Sequence, residues 1–427
     1  MKVAIINKSD STGGAAVVSF RLMEALRAEG VDAYMLVAEK KSISPHVYTA
    51  AKKTRILYEF LKERLGIFLA NGFNRSTLFK IDTATSGLPL WRHPLVKEAD
   101  AIFLNWVNQG MLSLKGFRKL LSLGKPVVWT MHDMWCFTGI CHHAGECVNF
   151  MNMCGDCYLL KSRRNSKDLS FKIFSKKNSI YSNINNKNTS LTFVAVSSWL
   201  LKKTAESSLL KDCKVVCIPN AFNIPASSRQ KEMPGKEDKI RLAFGAARLD
   251  DPIKGFDILK EMTKVLKEKE PEIARRIEIV LFGNIKNPEA LSGFSLPLIY
   301  QGSLPAKEVK KIYENAHLVV SASSYETLPG TLVEAQAYGC IPVSFNQGGQ
   351  SDIIEDSFTG FLAEYNTDKQ KAATNLAIGV IKAMNVISDA ERFRAMIAAM
   401  KENVRNKFSY NMVAKEYISL IRNLERV

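Results

Sequence analysis

Ser323-Ser324-Tyr325-Glu326-Thr327-Leu328-Pro329-Gly330-Thr331-Leu332-Val333-Glu334-Ala335-Gln336-Ala337-Tyr338-Gly339-Cys340-Ile341-Pro342-Val343-Ser344 carries two glutamates eight positions apart. An apolar, strand-like run from His317 to Ala322 precedes it. Ala335 to Tyr338 reads as helix with Gly339 as its stop, and Ile341 to Ser344 as the next strand. Glu326 therefore stands where a strand ends, and Glu334 about two helical turns further on. Ligands of α/β sheets bind at such strand ends. The amides of Gly330, Thr331 and Leu332 are expected to open the helix, where anions are favoured. Pro329 has no N–H and cannot join them. Two carboxylates and an amide nest suit a ligand with both hydroxyls and phosphates; two glutamates on a solvated helix are the plainer alternative.

The rest of the chain fits an α/β reading. A length of 427 residues exceeds one ordinary core, so two domains are expected. Hydrophobic residues make up 46% and mean hydropathy is -0.07, as in globular proteins. No stretch has the ~18–20 uninterrupted apolar residues of a membrane span. Met1 to Asn7 reads as a short strand and not a signal peptide, so the expected compartment is the cytoplasm. Eight cysteines there point to thiols or metal ligands before disulfides. The net charge of +17 is uneven: residues 1–220 carry 31 Lys and Arg against 16 Asp and Glu, hence +15. Anionic headgroups or a phosphorylated acceptor would match it. Nucleic acid is disfavoured, since no binding motif or basic-aromatic alternation is present.

Strands are expected at Val3–Asn7, Asp32–Val37, Ala101–Leu104, Val127–Met131 and Thr192–Val196, with helices at 15–29, 111–122 and 198–210. A second series begins at Ile240, with strands at 241–245, 278–282, 298–301, 318–321 and 341–344. Such alternation is the mark of doubly wound parallel sheets. The segment from Ile218 through the polar stretch 227–238 reads as a linker. The expected division is 1–222, with a Cys-rich insertion at 136–160, then 223–407, then a C-terminal helix 408–427 with Val413, Tyr417, Leu420 and Ile421 on one face.

Three further groups stand out. Arg248 and Lys254 lie six apart in a loop after the first strand of the second series. Arg248 as a fork and Lys254 as a point charge could straddle a pyrophosphate; a solvated loop is the alternative. Gly13 and Gly14 follow the first strand and open a helix, either as a ligand approach or as a plain tight turn. Cys141, Cys147, Cys154 and Cys157 form C-x5-C-x6-C-x2-C, which fits a closed structural zinc site or four ordinary thiols. His142 and His143 are reserve ligands. Between 161 and 187 eight basic residues, among them Lys172, Lys176 and Lys177, face only Asp168. A helix over 168–181 would either lie on an anionic membrane or pack on its own domain.

The 323–344 stretch, continuing through Phe345 to Ile354 and Thr359 to Leu362, resembles the E-x7-E signature of glycosyltransferase family 4. The similarity runs from Lys2 to about Leu420. It implies the GT-B fold: two Rossmann-like doubly wound domains facing a cleft, with the C-terminal helix crossing back to the first. It implies a retaining transferase in which Glu326 lies beside the donor sugar, Glu334 holds the ribose and Arg248 and Lys254 face the diphosphate. It further implies that Gly283 lies near the nucleotide and that Gly13 and Gly14 face the cleft. His132 would orient a sugar hydroxyl, and Asp133 would bind the acceptor or help deprotonate it. Many members have Gly-Phe-Gly where this chain has Thr327-Leu328-Pro329-Gly330. Met131 to Gly139, with the cysteines, looks like a subgroup from bacterial surface-polysaccharide clusters. The expected activity is hexosyl transfer from a nucleotide-diphosphate sugar to a growing, lipid-linked oligosaccharide. No catalytic cofactor is expected, because the chain has no Asp-x-Asp triplet. The partners would be that donor, that acceptor and an anionic membrane surface on the cytoplasmic side. A nucleotide-sugar 2-epimerase of the same fold and an inactive membrane-docked scaffold are the alternatives.

Overall fold

The computed structural model describes residues 1–161, 164–184, 191–225 and 231–425. Arg163, Lys187 and the part of the expected linker at 226–230 lie outside the described residues. The chain divides into two compact units, Met1–Ala221 with Tyr410–Val427, and Phe222–Ser409.

The first unit is built on seven parallel strands: β1 (Lys2–Ser9), β2 (Asp32–Glu39), β3 (Val47–Thr49), β4 (Ala101–Leu104), β5 (Val127–Met131), β6 (Leu191–Ala195) and β7 (Val215–Cys217). Their order is β3-β2-β1-β4-β5-β6-β7. β4 and β5 are buried along their whole length, which is why they read as unbroken apolar runs. β1 pairs with both β2 and β4, Val3 lying opposite Ala33 and Ala101. The strand order reverses there, so ligands are expected at the carboxyl ends of these strands. The C-terminal helix Tyr410–Glu425 closes this unit's core. Val413, Tyr417, Leu420 and Ile421 pack with Val3, Ile5, Leu22 and Leu26. Each such side chain contributes ~1.5–3 kcal/mol by leaving water. The Tyr417 hydroxyl also meets Thr130 Oγ1 on β5 at 2.9 Å.

The second unit has six parallel strands: β8 (Ile240–Arg248), β9 (Ile277–Asn284), β10 (Leu298–Tyr300), β11 (Leu318–Ser321), β12 (Ile341–Phe345) and β13 (Phe361–Ala363), in the order β10-β9-β8-β11-β12-β13. Here the order reverses between β8 and β11. Leu242, Leu281, Val320 and Val343 from the sheet pack with Leu259 and Met262 of the helix Phe256–Lys269 and with Leu376 and Val380 of Lys369–Ile387.

The basic helix spans Leu169–Ile184. Asp168 caps it, its Oδ1 accepting from the backbone N–H of Ser170 at 2.8 Å and of Phe171 at 3.2 Å. The membrane orientation considered for this helix is corrected: Ile173, Phe174, Ile180 and Tyr181 are core residues of their own domain. Lys177 is fully buried, its ammonium donating to the carbonyl of Thr138 at 3.0 Å and lying over the Trp135 ring. Burial brings its pKa down to about 7. The apolar face is needed inside, so only Lys172 and Lys176 of the three lysines meet solvent. No helix among the described residues is long and apolar enough to cross a membrane.

Candidate functional site

In the second unit the strand ends converge on Glu326. Lys254 Nζ donates to Glu326 Oε1 at 2.5 Å, and the Ser323 hydroxyl donates to the same oxygen at 3.0 Å. Two glycines make this approach possible. Gly255 sits at φ 66, and a Cβ there would meet the carbonyl oxygen of Ala322, at the end of β11, at 2.0 Å. The loop carrying Lys254 is thus pressed against the strand end, with Ser324 N–H donating to the Ile253 carbonyl at 2.9 Å. Gly348 lies on the other side of Glu326. A Cβ on it would stand 2.1 Å from the Glu326 carbonyl oxygen, which accepts from Gly349 N–H at 3.0 Å.

The remaining expected residues of this unit stand in differing states. Arg248 ends β8 and pairs with Asp250 at 3.5 Å and Asp251 at 3.2 Å. Its side chain is 44% exposed and is not drawn into the Lys254–Glu326 pair. Glu334 lies half-buried in the helix Gly330–Ala337. That helix begins at Gly330, as expected, but Leu332 N–H already donates to the Pro329 carbonyl at 3.1 Å. The expected amide nest is therefore reduced to Gly330 and Thr331. Gly283, next to last in β9, stands at φ 128, where a Cβ would collide with the Ala246 carbonyl oxygen at 1.8 Å. Gln350, two residues past Gly348, was not anticipated. Its amide is completely buried, and neither its nitrogen nor its oxygen has a hydrogen-bond partner among the described residues. Such a group costs ~1–3 kcal/mol unless something satisfies it.

In the first unit the carboxyl end of β5 carries His132 and Asp133. His132 Nε2 meets Asn105 Oδ1 at 2.9 Å, and burial lowers its pKa to about 4. The ring is neutral at physiological pH. Asp133 is fully engaged: Oδ1 accepts from Trp135 N–H at 2.8 Å, and Oδ2 accepts from Trp106 Nε1 at 3.0 Å and from His142 Nδ1 at 2.7 Å. Burial works against its charge, but His142 outweighs it and holds the carboxylate down at about 2. Its oxygens are thus tied to three neighbouring groups in the structure.

His142 is the hub that sequence reasoning took only for a reserve metal ligand. Its Nε2 donates to Asp82 Oδ2 at 2.8 Å, so each ring nitrogen faces a carboxylate. Burial opposes the charged ring, yet the two aspartates raise it to about 10. Asp82 in turn pairs with the buried Arg64. No local spacing signals this cluster, because Asp82 and His142 are 60 residues apart.

Of the two readings of the four cysteines, the zinc site finds no support among the described residues. Cys141, Cys147, Cys154 and Cys157 are free thiols, and among the described residues no group of three or more His, Cys, Asp or Glu side chains could hold a metal. Burial pushes the Cys141 and Cys154 thiols up to about 12. Cys154 Sγ accepts from Gly139 N–H at 3.2 Å. The loop is anchored by oxygen contacts: Asp168 Oδ2 accepts from Cys157 N–H at 2.8 Å, and Arg164 pairs with Asp156 at 2.7 Å.

Gly13 caps the helix Gly14–Ala28 at φ 89, a conformation that favours glycine. Neither Gly13 nor Gly14 has an atom within 4 Å of where a Cβ would be, so this helix start is open.

Residues 227–392 match the sequence profile of the family Glycosyl transferases group 1. The chain is similar to a glycogen synthase of Thermodesulfovibrio yellowstonii, 32% identical over 115 residues, which cover 27% of this chain and 21% of that one. It is similar to a mannosylfructose-phosphate synthase of Agrobacterium fabrum, 25% identical over 213 residues, covering 47% and 44%. The chain thus spans less than half the length of these relatives. Among solved structures, Anabaena Alr3699/HepE in complex with UDP and glucose matches with a TM-score of 0.60 at 15% identity, covering 99% of each chain. That likeness gives the fold, two Rossmann-like parallel-sheet domains of the GT-B kind.

Proposed function

We propose that this chain is a retaining glycosyltransferase that moves a hexose-type sugar from a nucleotide-diphosphate sugar to a growing, lipid-linked oligosaccharide of a bacterial surface polysaccharide. The observation that carries the reading is the Lys254–Glu326 pair, pinned at the end of β11 by Gly255 and Gly348 within the segment that matches the family profile.

In this reading the sugar–phosphate bond breaks, the diphosphate leaves with the electron pair, and the oxygen of an acceptor hydroxyl takes its place on the sugar while its proton passes to the departing phosphate oxygen. Lys254 and Arg248 stabilise the departing charge. The Lys254–Glu326 pair is 30% and 20% exposed. A pair that water still reaches contributes ~1 kcal/mol, whereas removing a cation from a desolvated phosphate costs ~2–5 kcal/mol. The ammonium can therefore turn from Glu326 to the diphosphate when donor binds, releasing Glu326 toward the sugar. Glu334 holds the ribose hydroxyls, and Gly330, Thr331 and Gly283 border the nucleotide. In the first unit His132, neutral, hydrogen-bonds a sugar hydroxyl, and Asp133 positions the surrounding side chains. Gly13 and Gly14 leave a helix start open to the acceptor.

The test is transfer itself. The purified chain is incubated with labelled nucleotide sugars, with and without a bacterial lipid extract. Extract-dependent appearance of label in the lipid fraction, lost in Glu326→Ala, is the expected result. A new free nucleotide sugar formed without extract would mean epimerisation, and no reaction with any donor would remove the proposal.

A further inference from the structure

The helix Lys53–Ala70 is arranged the opposite way from an ordinary surface helix. Leu57, Leu61, Leu65 and Leu69, four apart and so on one ridge, are 55%, 53%, 56% and 44% exposed. Tyr58 at 53% flanks the ridge, and Phe73 and Phe79 in the following segment are 63% and 64% exposed. The helix's two acids point inward instead. Glu63 accepts from the N–H groups of Ala84 at 2.7 Å and Gly110 at 2.6 Å, and Glu59 accepts from the Ser86 hydroxyl and Gly87 N–H. Both are buried. Every exposed charged residue between 52 and 80 is consequently a cation: Lys52, Lys53, Arg55, Lys62, Arg75 and Lys80. Beside the ridge lies an apolar groove of about 650 Å³, walled by Tyr58, Leu61, Leu65, Phe68 and Leu78 with Arg75 in its lining.

We infer that this face docks the protein on an anionic bilayer surface, the leucine ridge entering the boundary between headgroups and acyl chains while the cations meet lipid phosphates. An apolar ridge bordered only by cations is the pattern of a helix lying in that boundary. A contiguous exposed apolar face of this kind marks a contact surface. Charge selects the occupant. A second copy of this chain, paired ridge to ridge, would set these cations against their equivalents, with Arg55 alone of the six paired to an acid, Glu59, among the described residues. A negatively charged bilayer satisfies both the ridge and its border. The inference rests on the lipid-linked side of the proposed function and assigns it a surface, but it makes no use of the donor site.

The test is co-sedimentation of the full chain, without donor, with vesicles of phosphatidylcholine alone and of phosphatidylcholine with phosphatidylglycerol. Binding to the mixed vesicles, release by high salt and weak binding to phosphatidylcholine are expected. The double variant Leu61→Gln, Leu65→Gln and the double variant Lys62→Glu, Arg75→Glu should each lower partition by on the order of tenfold or more. The second pair lies wholly on the exposed side, so it reads the same surface should the leucine variant fold poorly. Lys172→Glu with Lys176→Glu, on the helix Leu169–Ile184, should change partition far less. Failure of the wild type to bind mixed vesicles, equal binding to both vesicle types, or loss only in the Lys172 and Lys176 variant would overturn the assignment. A dimer in light scattering that Leu61→Gln dissolves would give the face to a second copy instead. Donor binding is measured separately by thermal shift, so loss of one reading leaves the other standing.

Discussion

At the carboxyl end of β5, Asp133 has both oxygens occupied and is locked to His142 and, through it, to Asp82 and Arg64. At the carboxyl end of β11, Glu326 meets, among the described residues, one cation, Lys254, and one hydroxyl, in a setting that water still reaches. Both places lie at the strand ends of a doubly wound sheet, where ligands bind. They differ in what their charges are free to do. A carboxylate held down at about 2 by a mostly buried, doubly bonded partner gives shape to a site. A partly exposed pair can exchange its partner for a ligand. The first kind of charge is tied to stability and the second to binding, and substitutions should separate the two.

The largest effect is expected in the buried cluster. His142→Ala leaves Asp82 and Asp133 without their shared cation, and breaking such a pair costs ~3–5 kcal/mol. Chemical denaturation should show a loss of that size. A change below about 1 kcal/mol would mean that water replaces the ring easily and that the contrast between the two strand ends is false. Lys254→Ala should do the reverse: donor affinity falls by ~2–5 kcal/mol, while stability moves by less than about 1 kcal/mol. Glu326→Ala should lower turnover more than donor affinity. Arg248→Ala should weaken donor binding less than Lys254→Ala does, because Asp250 and Asp251 already compete for its guanidinium.

The pH dependence sharpens the same contrast. His142 is raised from 6.5 to about 10, so its contribution is complete below pH 6.5 and is lost as pH rises through about 10. Asp133 is lowered from 3.8 to about 2, so its contribution is present above pH 3.8 and is lost as pH falls through about 2. Stability from this cluster is therefore greatest between roughly pH 4 and 6.5 and declines toward alkaline pH. In His142→Ala the alkaline decline should be much flatter. An unchanged alkaline profile would remove His142 as its source. The smallest effect is expected at Cys154→Ser, within ~1 kcal/mol of wild type, with well under one zinc per chain in protein purified without chelator. Stoichiometric zinc, lost in that variant, would restore the metal reading.

How far each region could be read from sequence follows from how local its determinants are. β4, β5, β11 and β12 were legible because each is a short unbroken apolar run between turn signals. β3, β7 and β13 were missed: each has three residues at or near a sheet edge, too few to show a period. The position of Glu326 followed from its place after a strand, but its contact with Lys254 depends on how closely Gly255 lets two loops approach. The cluster around His142 joins segments distant in sequence, so no window contains its pattern. Lys177 misled for a related reason: a lysine among apolar residues looks like the border of an exposed face, and here two carbonyls and an indole ring satisfy it inside. The helix Lys53–Ala70 escaped notice because its acids face inward and its leucines outward, which blurs the amphipathic signal.

The central claim is that Lys254 and Glu326 form the donor end of a nucleotide-sugar site. Thermal unfolding across a panel of nucleotide-diphosphate sugars, with wild type and Lys254→Ala side by side, tests it most directly. At a hundredfold excess over Kd, a true donor stabilises the fold by ~2.7 kcal/mol. The account predicts that at least one nucleotide sugar raises the wild-type melting temperature and that Lys254→Ala loses most of the rise while melting normally without ligand. A panel in which no nucleotide sugar moves the wild type, or in which both proteins respond alike, would contradict it.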